Sequence, residues 1–208
     1  MNSIFNMNSY SAKLFGVEFE IYKNLTFLGE GDLLKKIFLC GNAAFNDTEV
    51  TGYERIDGEG GLYKANRPLY GQAPYNYNLG LDYIGERAGF SIRHNAIGDQ
   101  YILVGFDYDA EEIRKPYSVT DAQMSYKLGK ERDIELKFGI KNLFDTAIET
   151  YNNYNSYSKI VPFEAGGNPR DQRALGAGAT KKYDENLDRT LFKAWNGRSF
   201  NFSINYSF

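Results

Sequence analysis

Side chains able to carry chemistry are few in this sequence, and they are scattered. The single histidine, His94, stands beside Asn95 with no serine-centred motif near it, so the nucleophile, base and orienting acid of a hydrolase have no signature here. Haem coordination is open to a histidine, although a lone one more often only hydrogen-bonds. Glu18 and Glu20 are two apart; on a strand that spacing puts both carboxylates on one face, and a solvated or lumen-facing surface explains them without catalysis. Asp107, Asp109, Glu111 and Glu112 offer oxygen ligands suited to a hard cation. They lack the glycine turn and distal glutamate of an EF-hand, so they read as a solvated loop and no metal is expected. Cys40 has no partner cysteine and lies in the apolar run Ile37-Phe-Leu-Cys-Gly41, where a small buried thiol is the simplest account. These residues point to no enzyme and no cofactor.

The stretch with the strongest pattern is the last one. From Gly197 to Phe208, Phe200, Phe202, Ile204, Tyr206 and Phe208 alternate with Ser199, Asn201, Ser203, Asn205 and Ser207, so a pleated strand would be aromatic on one face and small and polar on the other. In water such a face must meet a protein core. A chain-terminal strand can instead turn its rings to lipid and its polar side to a wet lumen. The composition suits the second reading: aromatics make up 16% of 208 residues, yet the mean hydropathy is −0.51. No run of about 18 apolar residues exists, which excludes a helical span but not a barrel, whose alternating strands average out. A net charge of −3 without a basic cluster argues against a nucleic-acid partner. Neither a basic nor an apolar leader opens the sequence, so no signal peptide is expected, and an exported protein would then be incomplete here.

In chain order, residues 14–22 alternate Phe15, Val17, Phe19 and Ile21 against Gly16, Glu18 and Glu20. A turn over 24–34 precedes a less regular strand over 34–46, and the glycine-rich, polar stretch 47–67 reads as a loop. Residues 75–83 form a third strand and 89–104 a fourth, in which Gly98 marks a bulge or kink. Strands over 119–128 and 134–144 follow, joined by 129–133, and residues 145–196 then form a long loop ahead of the last strand. Short connections (24–34, 84–88, 129–133) thus alternate with long ones (47–71, 105–116, 145–196). Tight turns on one rim and long loops on the other are what an outer-membrane barrel requires, with the long side extracellular. The expected fold is all-β: an antiparallel transmembrane barrel segment of about seven strands, too few to close by itself.

Asn142-Leu-Phe-Asp145 after a strand, a long loop and the terminal strand together resemble the C-terminal end of a TonB-dependent outer-membrane receptor. Arg67-Pro-Leu-Tyr-Gly-Gln-Ala-Pro-Tyr75, His94-Asn-Ala-Ile-Gly98 and Val119-Thr-Asp-Ala-Gln123 resemble such receptors from Bacteroidetes. The resemblance implies that residues 1–208 are the C-terminal part of a barrel domain of about 22 strands in the bacterial outer membrane, with the plug and TonB box absent from this chain.

It also implies active uptake of a bulky nutrient, an iron-siderophore, haem or a glycan, driven through the TonB complex by the missing N-terminal part. Loops 47–71 and 145–196 are the expected ligand contacts, and Tyr151, Tyr154, Tyr157, Arg170, Arg173 and Trp195 the candidate residues, because rings stack on flat or sugar ligands and guanidinium groups pair with anionic chelates. By the same resemblance Phe200, Phe202, Ile204, Tyr206 and Phe208 form the signal read by the barrel-assembly machinery. A surface lipoprotein is a further partner known among glycan-importing relatives. Two rivals stand beside this reading: a soluble carbohydrate-binding β-sandwich, which would stay in solution without detergent, and a small outer-membrane barrel enzyme, for which His94 would have to be essential.

Overall fold

The computed structural model describes residues 11–56, 61–103, 112–152, 183 and 188–207. The chain is all-β and antiparallel. Its strands are β1 (Ser11–Asn24), β2 (Ile37–Ile56), β3 (Gly61–Arg67), β4 (Tyr75–Ile84), β5 (Ala88–Ile97), β6 (Gln100–Leu103), β7 (Glu112–Arg114), β8 (Tyr117–Leu128), β9 (Ile134–Lys141), β10 (Ala147–Asn152), β11 (Arg189–Trp195) and β12 (Ser199–Tyr206). A 3₁₀ turn, Leu25–Leu28, and one helical turn, α1 (Asp32–Lys35), join β1 to β2.

The large sheet runs β1-β2-β4-β5-β8-β9-β12, with β3 paired to β2 off that path. Register assigns each side chain a face. Val17, Phe45 and Tyr75 fall in one cross-strand row; Leu39, Leu81, Ile92, Ala122, Ile140 and Phe200 fall in another, on the same face. The opposite face carries Glu18, Glu20, Asn42, Asn78, Arg93, Gln123, Lys137, Asn201 and Ser203. Among the described residues no second layer covers the apolar side: Phe200 and Phe202 are each 64% exposed. A sandwich would bury that face at about 1.5–3 kcal/mol per large side chain, whereas a membrane strand offers it to lipid. β1 and β12 are edges, each paired on one side only among the described residues.

A second, four-stranded sheet has the order β11-β10-β7-β6. Each of its strands continues one of the large sheet, β6 after β5, β7 before β8, β10 after β9 and β11 before β12. The breaks lie at Gly98–Asp99, Lys115–Pro116, 142–146 and 196–198. Proline cannot donate to a ladder, so Pro116 suits such a break. Gly98 is needed because a Cβ there would lie 3.0 Å from Pro74, and its N–H donates to Tyr75 O at 2.9 Å. The expected kink at Gly98 is therefore present. This collar sheet encloses a small core of Tyr101, Ile113 and Tyr151, with Ile113 fully buried.

Several boundaries differ from the sequence reading. The stretch 47–67, expected as loop, is a hairpin in which β2 continues to Ile56 and pairs with β3 from Val50↔Arg67 to Ile56↔Gly61. β7, β10 and β11 likewise lie in stretches expected as loops. Ladder hydrogen bonds hold these strands, and no apolar face has to be shown to lipid, so their sequences need not alternate. The described connections 25–36, 85–87 and 129–133 share one rim, to which the chain also returns at its end, since Ser207 N–H donates to Asp133 O at 2.9 Å.

Candidate ligand face of the barrel mouth

The polar face of the large sheet is built of short side chains in register. Asn78 Nδ2 donates to Asn42 Oδ1 at 2.6 Å. Arg93 pairs with Asp82 at 2.7 Å across β4 and β5, and the Cys40 thiol lies 3.9 Å from the same carboxylate oxygen. Gly80 makes room for this pair: a Cβ there would come within 2.7 Å of Arg93 and 2.8 Å of Cys40. Toward the short-turn rim the wall opens into a concavity of ≈ 290 Å³, lined in part by Asp82, Ser91, Gln123, Ser125, Lys127 and Glu135. The thiol expected to be buried is half-buried on this wall.

In the collar, three charged residues share one row: Glu149 of β10, Lys193 of β11 and Lys115 just after β7. Lys193 stands opposite Glu149 in the β10–β11 ladder, and Lys115 N–H donates to Glu149 O at 2.8 Å. Their side chains close the row: Lys115 Nζ lies 2.9 Å from one Glu149 oxygen and Lys193 Nζ bonds the other. Rings frame it. Lys115 Nζ sits 3.6 Å from the centroid of Tyr183, whose ring meets Tyr151 edge-on at 4.9 Å, and Lys193 Nζ lies 4.9 Å from that of Trp195. The bond from Lys193 and then that from Lys115 outweigh burial and hold the Glu149 carboxyl below the usual glutamate range. Burial opposes charge on Lys115, but bonds to Glu149 and Tyr183 prevail and raise it above the usual lysine range. Two cations share one carboxylate, so the row keeps an excess positive charge beside exposed aromatic surface.

Of the ligand candidates, Trp195 is 61% exposed on β11, while Tyr151 is buried in the collar core with its ring against Tyr183. Tyr154, Tyr157, Arg170 and Arg173 lie outside the described residues, as do Asp107, Asp109 and Glu111. Glu112 is in β7, paired with Leu103 and Asn152. His94 belongs to the apolar row of the sheet, its Nδ1 2.9 Å from Thr120 Oγ1 and its ring 6.0 Å from Tyr77. Phe200, Phe202, Ile204 and Tyr206 line one exposed face of β12; Phe208 lies outside the described residues. Lys115, Glu149 and Lys193 escaped the sequence reading, because a row assembled from two strands and the end of a third segment leaves no spacing within any one of them.

A single-layer antiparallel sheet, apolar on one face and polar on the other, has the pattern of a membrane-barrel wall, and residues 2–143 match the family model for the TonB dependent receptor-like β-barrel. The chain belongs to that family. TonB-dependent receptor barrels are outer-membrane receptors and transporters that work with the TonB complex, so the all-β architecture and the receptor reading agree at that level. The match ends within the Asn142-Leu-Phe-Asp145 motif, leaving β10, β11 and β12 outside it. No curated protein and no solved structure matches the chain.

Proposed function

We propose that this chain is the C-terminal part of the barrel of an outer-membrane transporter that takes up a scarce, bulky nutrient, an iron-siderophore, haem or glycan, energised by TonB acting on a plug outside these 208 residues. The observation that carries this reading is the two-faced sheet, with rings exposed on one side and an Asn, Ser and charge-paired wall on the other. The ligand meets the collar first. Trp195 and Tyr183 supply stacking surface, Lys115 and Lys193 supply cationic hydrogen-bond donors, and Tyr154, Tyr157, Arg170 and Arg173 extend the same chemistry. Below it the polar wall offers amide and hydroxyl groups suited to a hydrated solute. β12, with its row of rings, is the strand presented to the barrel-assembly machinery, and a surface lipoprotein is a partner if the ligand is a glycan. The resemblance of three motifs to Bacteroidetes receptors favours that lineage.

The test is made on the native protein in its own cell. It should fractionate with the outer membrane, and a strain lacking it should lose energised uptake of one nutrient class. Replacing residues 153–182 with a short linker should abolish that uptake and leave membrane insertion intact, while His94→Ala should be inert. Recovery of the protein from the aqueous fraction would overturn the reading.

A further inference from the structure

The short-turn rim holds one element unlike its neighbours. The 85–87 and 129–133 connections are polar and charged, and they are tied together by Arg132 and Glu86 at 2.7 Å. The 25–36 connection instead exposes Phe27 (60%), Leu28 (66%) and Leu33 (61%). It is an ordered element: Leu34 N–H donates to Gly31 O at 3.0 Å, Lys36 N–H to Leu33 O at 3.0 Å, and Lys36 O accepts from Ile84 N–H at 2.8 Å, which fastens the turn to β4. Three large apolar side chains held in water by a fixed backbone would forgo the gain of leaving it.

Its position says what covers it. On the apolar face the strands end at this rim with tyrosines, Tyr83 beside the last residue of β4 and Tyr206 opposite Ile134 at the start of β9; such rings mark the level where hydrocarbon gives way to headgroups. Ile37 pairs with Tyr83, and Lys23 with Leu39, in that same face. The chain therefore leaves the apolar face at Lys23, makes the apolar turn, and re-enters the same face at Ile37. Lys23 is exposed before it, and near its end Lys35 is exposed and paired with Asp32 at 2.8 Å.

We propose that the 25–36 turn is an interfacial anchor, laying Phe27, Leu28 and Leu33 into the headgroup–acyl boundary of the phospholipid leaflet at the short-turn rim. Apolar side chains flanked by lysine and continuous with a lipid-facing surface have the chemistry of a segment that lies in the interface. This rests on the membrane reading of the sheet.

The full-length protein with Trp195→Phe, which removes the one tryptophan of these 208 residues, is inserted into vesicles of phosphatidylethanolamine and phosphatidylglycerol with brominated acyl chains, and Phe27→Trp, Leu33→Trp and Phe202→Trp are each read in it as the difference in emission from that background. The expected result is a roughly twofold or greater loss of emission by brominated lipid for the two turn variants, with weak quenching by aqueous acrylamide. Strong acrylamide quenching without lipid quenching would mean that the turn stands in water. Shielding from both quenchers would mean that it is covered by protein. Either overturns the anchor while Phe202→Trp, quenched by lipid, upholds the sheet. If Phe202→Trp is also untouched by lipid, the membrane reading falls and the anchor with it.

Discussion

Replacing Asn142 with alanine should loosen the collar sheet without releasing the strands below it. Asn142 is buried at the β9–β10 break with φ 54°. Its backbone N–H donates to Asp121 Oδ1 at 2.9 Å, its side-chain oxygen accepts Thr146 N–H at 2.9 Å, and its amide donates to Gly197 O at 3.2 Å, in the β11–β12 break. One side chain thus joins two of the four breaks. Alanine leaves Thr146 N–H and Gly197 C=O without these bonds, at about 1 kcal/mol each. A Cβ without a polar arm in the left-handed region costs about 1 kcal/mol more. The sum, about 3 kcal/mol, is roughly a hundredfold in local opening. Glycine accepts the backbone angle and should lose about 2 kcal/mol; aspartate keeps the acceptor for Thr146 and should lose about 1. Amide hydrogen exchange read on peptides covering 147–152 and 189–195, against 134–141 and 199–206, gives the assay. Faster exchange should be confined to the first pair, in the order alanine, glycine, aspartate. Equal acceleration in both pairs, or none in either, would refute the hub.

On β12, Phe202→Arg should destabilise the inserted sheet by about 2–4 kcal/mol and Ser203→Arg by far less, because only the first charge is driven into lipid; urea unfolding from vesicles separates them, and equal losses would contradict the assigned faces. Glu149→Gln should leave Lys115 and Lys193 facing each other and weaken collar protection by about 1 kcal/mol, discounted because the row is partly exposed. The same row sets a pH window. Glu149, held low, stabilises the collar above the ordinary glutamate range and ceases to do so as acid titrates it through its lowered value; Lys115, held high, stabilises below the ordinary lysine range and ceases to as alkali titrates it through its raised value. Exchange in 147–152 should therefore be slowest, relative to intrinsic rates, across the neutral range, and a monotonic trend would count against the row. Gly80→Ala should displace Arg93 from Asp82 and cost about 1 kcal/mol, with the loss largely absent in an Arg93→Ala background.

Strands of the two-faced large sheet were legible in the sequence, and of the others only β6, inside the stretch 89–104, was read as strand. β1, β4, β9 and β12 alternate because one face of each must be apolar and the other must not. β3, β10 and β11 lie where no such demand exists, and residues 47–67 and 145–196 accordingly looked like loop. Gly98 was readable because a glycine inside an apolar run weakens the strand and is kept where the chain must bend or another backbone comes close. The collar row was not, since Lys115 and Glu149 are 34 residues apart in sequence and meet only through register. Asn142 sits in a motif conspicuous in the sequence, yet its work, bonding Gly197 O across 55 residues, is visible only once the two breaks lie side by side.

The two sheets share strands but not a source of stability. The large sheet buries little within the protein; its apolar surface faces outward, and its cohesion comes from the ladder and from whatever apolar medium surrounds it. The collar buries Tyr101, Ile113 and Tyr151 as a small aqueous core does. A strand that crosses from one regime to the other must change its twist and its neighbours, and all four do so together, at Gly98, Pro116, Asn142 and Gly197, the last with φ 71°.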